Sequence, residues 1–194
     1  MTQQNVIPPN EPQTTSGYSS LALQFQTLNT SLDELLHLLQ EYPEEQLNER
    51  PSPEGWSALQ VCHHLLKSEE LALCYLRKKL SFNPKLKPAN MATKMRKKLL
   101  LTYLSTPIKY RAPAAVGDDV LPVWSSLHEV EKHWKMCRHD FAMFLSQLPE
   151  DVFDKEVYKH PFAGRLCLEG MLHFFEQHFN RHVKQIKRTL RRVS

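Results

Sequence analysis

Large apolar residues recur along this chain at three- and four-residue steps in four long stretches. Leu21, Phe25, Leu28, Leu32, Leu35, Leu36 and Leu39 mark one face of a helix, predicted over about Ser20–Glu41 and stopped by Pro43. A second helix starts after the Pro- and Gly-rich LNERPSPEGW, with Ser57 as N-cap, and runs to about Leu80, where SFNPKLKP breaks it. A third spans about Ser125–Leu148, with Leu127, Val130, Trp134, Cys137 and Phe141 on its apolar side and Pro149 at its end. The last runs from about Leu166 to Arg191 and carries Met171, Leu172, Phe175, Phe179 and Ile186.

Between the second and third helices, residues 90–105 read as a shorter helical stretch, and Thr106–Pro122 as a long ordered loop of the kind that usually covers a site. No segment shows the alternation expected of strands, and no short repeat is present. Two long connections and one short one between amphipathic helices predict an all-α fold, a four-helix bundle with long crossover connections. Residues 1–18, rich in Gln, Asn, Pro, Ser and Thr, are expected to form a flexible arm or strap; residues 19–194 then make one domain.

Composition narrows this picture little. An apolar fraction of 41%, no long apolar run and no basic-then-apolar leader point to a soluble cytoplasmic protein without a membrane partner. Cys62, Cys74, Cys137 and Cys167 form no CxxC pair and read as small buried thiols. The net charge of +4 is concentrated in the run KMRKK at 94–98 and in the terminal KRTLRR. The terminal run fits a solvated helix end, and no nucleic-acid partner is expected for either, since no recognisable module accompanies them.

Ten histidines are the unusual feature. His178 and His182 are four apart, so their rings leave the last helix within about 40° of each other. That spacing can place two nitrogens on one tetrahedral ion, but taken alone it fits two partly exposed flank histidines better. On the second helix His63 shares a polar stripe with Lys67, Glu70 and Cys74, whereas His64 groups with Val61, Leu71 and Tyr75 and is the better inward candidate. His173 points away from the pair. His37, His128, His133, His139 and His160 read as structural or surface residues. There is no glycine-rich phosphate loop, no GxSxG and no HExxH.

The string WSALQVCHHLLKSEE resembles the second-helix motif of the DinB/YfiT-like metalloprotein superfamily, a Trp-Ser start followed eight residues later by His-Leu; counting from Trp56 reaches His64. The string KHPFAGRLCLEGMLHFFEQHFNRHVKQI resembles its last-helix motif, a His-Pro and a Gly, then His-x-x-x-His and Gln-Ile, which fall on His178, His182, Gln185 and Ile186. The resemblance covers roughly residues 20–190. It implies a four-helix bundle and a divalent metal ion, usually zinc or nickel, on His64, His178 and His182.

Three histidine ligands leave a coordination position open. The resemblance implies that this position holds a low-molecular-weight thiol, bacillithiol-like, for transfer to an electrophile. Arg181 or the basic run 94–98 would then steer an anionic thiol. The alternatives are a hydrolase with metal-bound hydroxide as nucleophile, for which Glu69 and Tyr75 are the candidate acid–base residues, and a non-enzymatic metal-binding bundle. Expected partners are a small-molecule substrate and, for the non-enzymatic reading above all, a second copy of the chain.

Overall fold

The structure, a computed structural model, describes residues 16–106, 108 and 112–193. The arm expected at the N-terminus lies outside the described residues as far as residue 15; Ser16, Gly17 and Tyr18 already belong to the first helix. The helices are α1 (Ser16–Leu39), α2 (Glu44–Asn48), α3 (Ala58–Ser81), α4 (Met91–Ser105), α5 (Leu127–Ser146) and α6 (Leu168–Leu190). A hairpin of two short strands, β1 (Tyr158–His160) and β2 (Gly164–Leu166), precedes α6.

The fold is a four-helix bundle. Helices α1 and α3 each pack against both α5 and α6, so successive long helices α1 and α3 sit across the bundle from each other, as do α5 and α6. Helix α4 lies on the outside of α6. All three connections between the long helices are extended, rather than two long and one short. The first carries α2, the second carries α4 and the two 3-10 turns Ala114–Val116 and Asp118–Val120, and the third carries the hairpin.

Apolar stripes explain the packing. Phe141 of α5, Met171 and Phe175 of α6, and Phe25 of α1 fill one half of the core. Trp134, Phe179, Leu59 and Ile186 fill the other. Ser57 caps α3 as expected: its hydroxyl accepts from the Gln60 N–H at 3.2 Å, and the Gln60 side chain accepts from the Ser57 N–H at 3.1 Å.

One polar cluster lies within this core. The Arg138 guanidinium donates to both carboxylate oxygens of Glu69, at 2.9 and 3.0 Å, and to the Leu28 carbonyl. Trp134 Nε1 donates to the same carboxylate at 3.0 Å. Arg138 also stacks over the Phe179 ring, so this one side chain touches residues of α1, α3, α5 and α6.

The hairpin escapes sequence reading because each strand is three residues long. Its turn is nevertheless encoded locally. His160 pairs with Gly164 across Pro161-Phe162-Ala163, and Gly164 adopts φ +79°, a conformation glycine tolerates best. Among the described residues no helix is long and apolar enough to cross a membrane. The cysteines are all free thiols; Cys62 and Cys137 are buried, and burial pushes both up to about 12, but Cys74 is exposed and Cys167 only half-buried.

Candidate metal centre

Helix α6 divides its residues between two faces. Phe175, Phe179 and Ile186 enter the core, while Phe174, His178 and His182 line a cavity of about 1210 Å³. His64 of α3 reaches the same place from across the interface. The ligand-capable nitrogens of His64, His178 and His182 all lie within 4.8 Å of one another. His64 Nε2 and His178 Nε2 are 3.1 Å apart. Two nitrogens at 2.0–2.1 Å from a tetrahedral ion sit about 3.3 Å apart, so this spacing suits a shared cation.

The protonation pattern suits it too. His64 Nδ1 donates to the Val116 carbonyl at 2.8 Å, which leaves Nε2 unprotonated, within 3.1 Å of His178 Nε2. His182 Nδ1 donates to Gln185 Oε1 at 2.9 Å, which likewise leaves its Nε2 unprotonated. Such outer hydrogen bonds orient histidine ligands and raise their basicity. The three residues are only 4, 6 and 9% exposed, and burial is the main force on their titration. It lowers His64, drives His178 well below its ordinary value with further pressure from His182 and His64, and brings His182 down to about 3. All three are therefore neutral near pH 7, the state that binds a divalent ion. The donor set and geometry fit one.

The long loop predicted over Thr106–Pro122 is tied to the start of α3. Besides the Val116–His64 bond, Trp56 Nε1 donates to Asp118 Oδ1, and Gln60 Nε2 donates to the Pro122 carbonyl at 3.2 Å. Trp56 stands 5.1 Å from the His64 ring, centroid to centroid. Ala112, Pro113, Ala115 and Val116 form part of the cavity wall.

The other candidates separate. Glu69 is turned into the core against Arg138 and Trp134 and does not line the cavity, which removes it as an acid–base residue for this site. Its position five residues after His64 places it on a different side of α3. Tyr75 does line the cavity, packed edge-on to Tyr158. Arg181 lines it as well, but its guanidinium donates to the carbonyls of Leu104, Thr106 and Ile108, closing the end of α4.

The run 94–98 is not among the lining residues; Arg96 pairs with Glu156 and donates to the Arg165 carbonyl of β2, and Lys97 pairs with Glu169, fastening α4 to the hairpin and α6. The cationic lining comes instead from Lys159 and from Lys184, Arg188 and Arg192, spaced by four residues at the end of the chain. Among the described residues these four make no ion pair.

His160, read from sequence as structural or surface, is buried and lines the cavity. Its ring meets Phe174 edge-on at 4.5 Å, and Phe174 stacks on His178 at 5.1 Å. Burial brings His160 down to about 4. The signal for it was the HPFAG turn immediately before α6.

Known proteins agree with this architecture. YfiT of Bacillus subtilis, described as a probable metal-dependent hydrolase with an unusual four-helix bundle topology, matches with a TM-score of 0.53 at 18% identity, over 94% of this chain and 93% of that one. The uncharacterized protein YuaE of Bacillus subtilis (strain 168) is 24% identical over 144 residues, 74% of this chain and 83% of YuaE. The profile of the DinB superfamily matches residues 27–186. With that match spanning most of its length, the chain belongs to the DinB superfamily.

Proposed function

We propose that this protein is a metal-dependent enzyme, with a divalent ion on His64, His178 and His182, that transfers a low-molecular-weight thiol to an electrophile. The observation that carries the metal centre is the convergence of three neutral imidazoles at an open cavity, two of them with their outer nitrogens already engaged. A bound ion, zinc or nickel by the family resemblance, supplies a Lewis acid with an open position that lowers the pKa of a thiol or water. The chain's own residues orient the imidazoles, through Val116 and Gln185, and provide the walls that bind the reactants.

The lining favours an anionic thiol. Lys159, Lys184, Arg188 and Arg192 outnumber the lining carboxylates Glu54 and Asp118, and Asp118 is engaged by Trp56. Unpaired cations around a cleft raise the local concentration of an anionic reactant. The same lining weighs against hydrolysis, which wants a carboxylate within reach of the open position. Hydrolysis stays as the second reading because the similarly folded YfiT is described as a probable metal-dependent hydrolase. A purely structural ion is disfavoured by the open cavity beside the cluster.

The test begins with metal content. Elemental mass spectrometry of untagged protein should find near-stoichiometric zinc or nickel, and a His64→Ala/His178→Ala double mutant should have lost it. Absence of metal from wild type, even after incubation with both ions, overturns the reading. Metal-loaded protein is then offered carboxylate-bearing thiols such as glutathione with an alkylating electrophile, and esters in parallel. Metal-dependent thioether formation supports transfer; ester cleavage alone moves the assignment to hydrolysis.

A further inference from the structure

The metal-centre proposal accounts for three of the histidines at the cavity, and leaves His160 without a task. Its surroundings define its chemistry closely. The backbone N–H groups of Phe162 and Ala163 both donate to His160 Nδ1, at 3.2 and 3.1 Å. A ring nitrogen that accepts carries no proton, so in the neutral imidazole the proton is on Nε2. The hairpin therefore locks one tautomer. It also locks the ring's direction, because those two donors belong to the turn that follows His160 directly and the face of the ring is held against Phe174.

Nε2 meets no acceptor among the described residues, and it is not one of their sealed, unpartnered polar atoms. On a residue that lines the cavity, that leaves the Nε2–H opening into it. A neutral N–H donor held rigidly in a mostly buried site is suited to an acceptor oxygen, which it meets without the cost of ordering a flexible side chain. Lys159 and the cations of α6 differ in kind: they are long, exposed and able to steer, but not to fix an atom.

We propose that His160 is a substrate-binding residue whose Nε2–H donates a hydrogen bond to an oxygen of the reactant, a carbonyl or carboxylate oxygen, held at the open side of the three-histidine centre. The proposal rests on that centre being a metal site. It assigns His160 no place among the metal ligands, because its Nδ1 is occupied by the turn.

Acetate bound to cobalt(II)-loaded protein is the probe, followed by the visible absorption of the cobalt. The informative variant is His160→Asn, whose side-chain oxygen still accepts from the turn while its shorter amide places no donor where Nε2 stands; His160→Gln, whose amide reaches further, is the partial replacement. Cobalt affinity should be unchanged in both, while acetate affinity falls about tenfold in His160→Asn and less in His160→Gln. Nitrogen-15 spectra of the wild type should show a protonated Nε2 and an unprotonated Nδ1 at His160.

Unchanged acetate affinity in a folded His160→Asn, or the opposite tautomer, overturns the proposal. So does a tenfold loss of cobalt affinity, which makes His160 a ligand. If wild type binds no cobalt, the metal centre itself fails and this proposal falls with it, an outcome distinct from a cobalt site with indifferent His160.

Discussion

Arg138 holds Glu69 by two hydrogen bonds, at 2.9 and 3.0 Å, with both side chains almost wholly withdrawn from solvent. A buried pair of this kind adds little net stability over an apolar replacement, yet breaking it strands a charge. Glu69→Ala is expected to cost about 3–5 kcal/mol in urea unfolding, while Glu69→Met/Arg138→Met together cost much less than the sum of the single changes. Folded Glu69→Ala should keep its divalent metal, since the carboxylate stands outside the cavity.

The bond from His182 to Gln185 is the most accessible of those orienting the centre. Gln185→Leu removes the acceptor and should lower zinc affinity about 10- to 100-fold by competition with a chelating dye. His178→Ala should abolish stoichiometric binding altogether.

Acid should act on the ion-free protein through the buried imidazoles. His160 and His182 titrate in the fold at about 4 and about 3, below the ordinary histidine value near 6.5. The unfolded chain therefore takes up protons first, and folding stability falls as pH drops from about 6.5 toward 3. Each such group contributes a slope of up to about 1.4 kcal/mol per pH unit. Urea midpoints measured between pH 7 and 5 should decline, with a shallower decline in His160→Asn.

Trp56 anchors the loop through Asp118, next to the Val116 carbonyl that orients His64. Trp56→Phe keeps an aromatic ring beside His64 but removes the donor. Hydrogen exchange across residues 112–121 should quicken, and zinc affinity should fall several-fold. Exchange that is unchanged would show that the loop is held without this bond.

Arg188→Glu is expected to raise KM for an anionic thiol while leaving kcat close to wild type, because the residue lies on the exposed lining rather than at the histidines. The KM of wild type should climb with ionic strength, and that of the variant should climb less.

The long helices were legible because leucines and phenylalanines recur at helical spacing over five or more turns, and their ends fell within a few residues of expectation. The wheel position of His64 relative to His63 was legible for the same reason. A wheel says which residues share a face and not what stands opposite. Glu69 looked like a candidate near the centre because nothing in its own helix reveals that Arg138 and Trp134 await it on α5. Arg188 and Arg192 looked like a solvated helix end because the loop and hairpin that complete the cavity come from distant segments. Short elements failed for another reason. Three-residue strands and the five-residue α2 carry too little periodicity to register.

His64 belongs to α3, and His178 and His182 belong to α6. The set is complete only when those helices have docked, so an ion bound there recognises the assembled bundle and not the open chain. Free ion at a hundred times its dissociation constant then stabilises the fold by about 2.7 kcal/mol. Where unfolded chains are cleared by proteolysis, the amount of this protein would follow the metal supply of its surroundings, making its abundance a readout of nutrition as well as of synthesis.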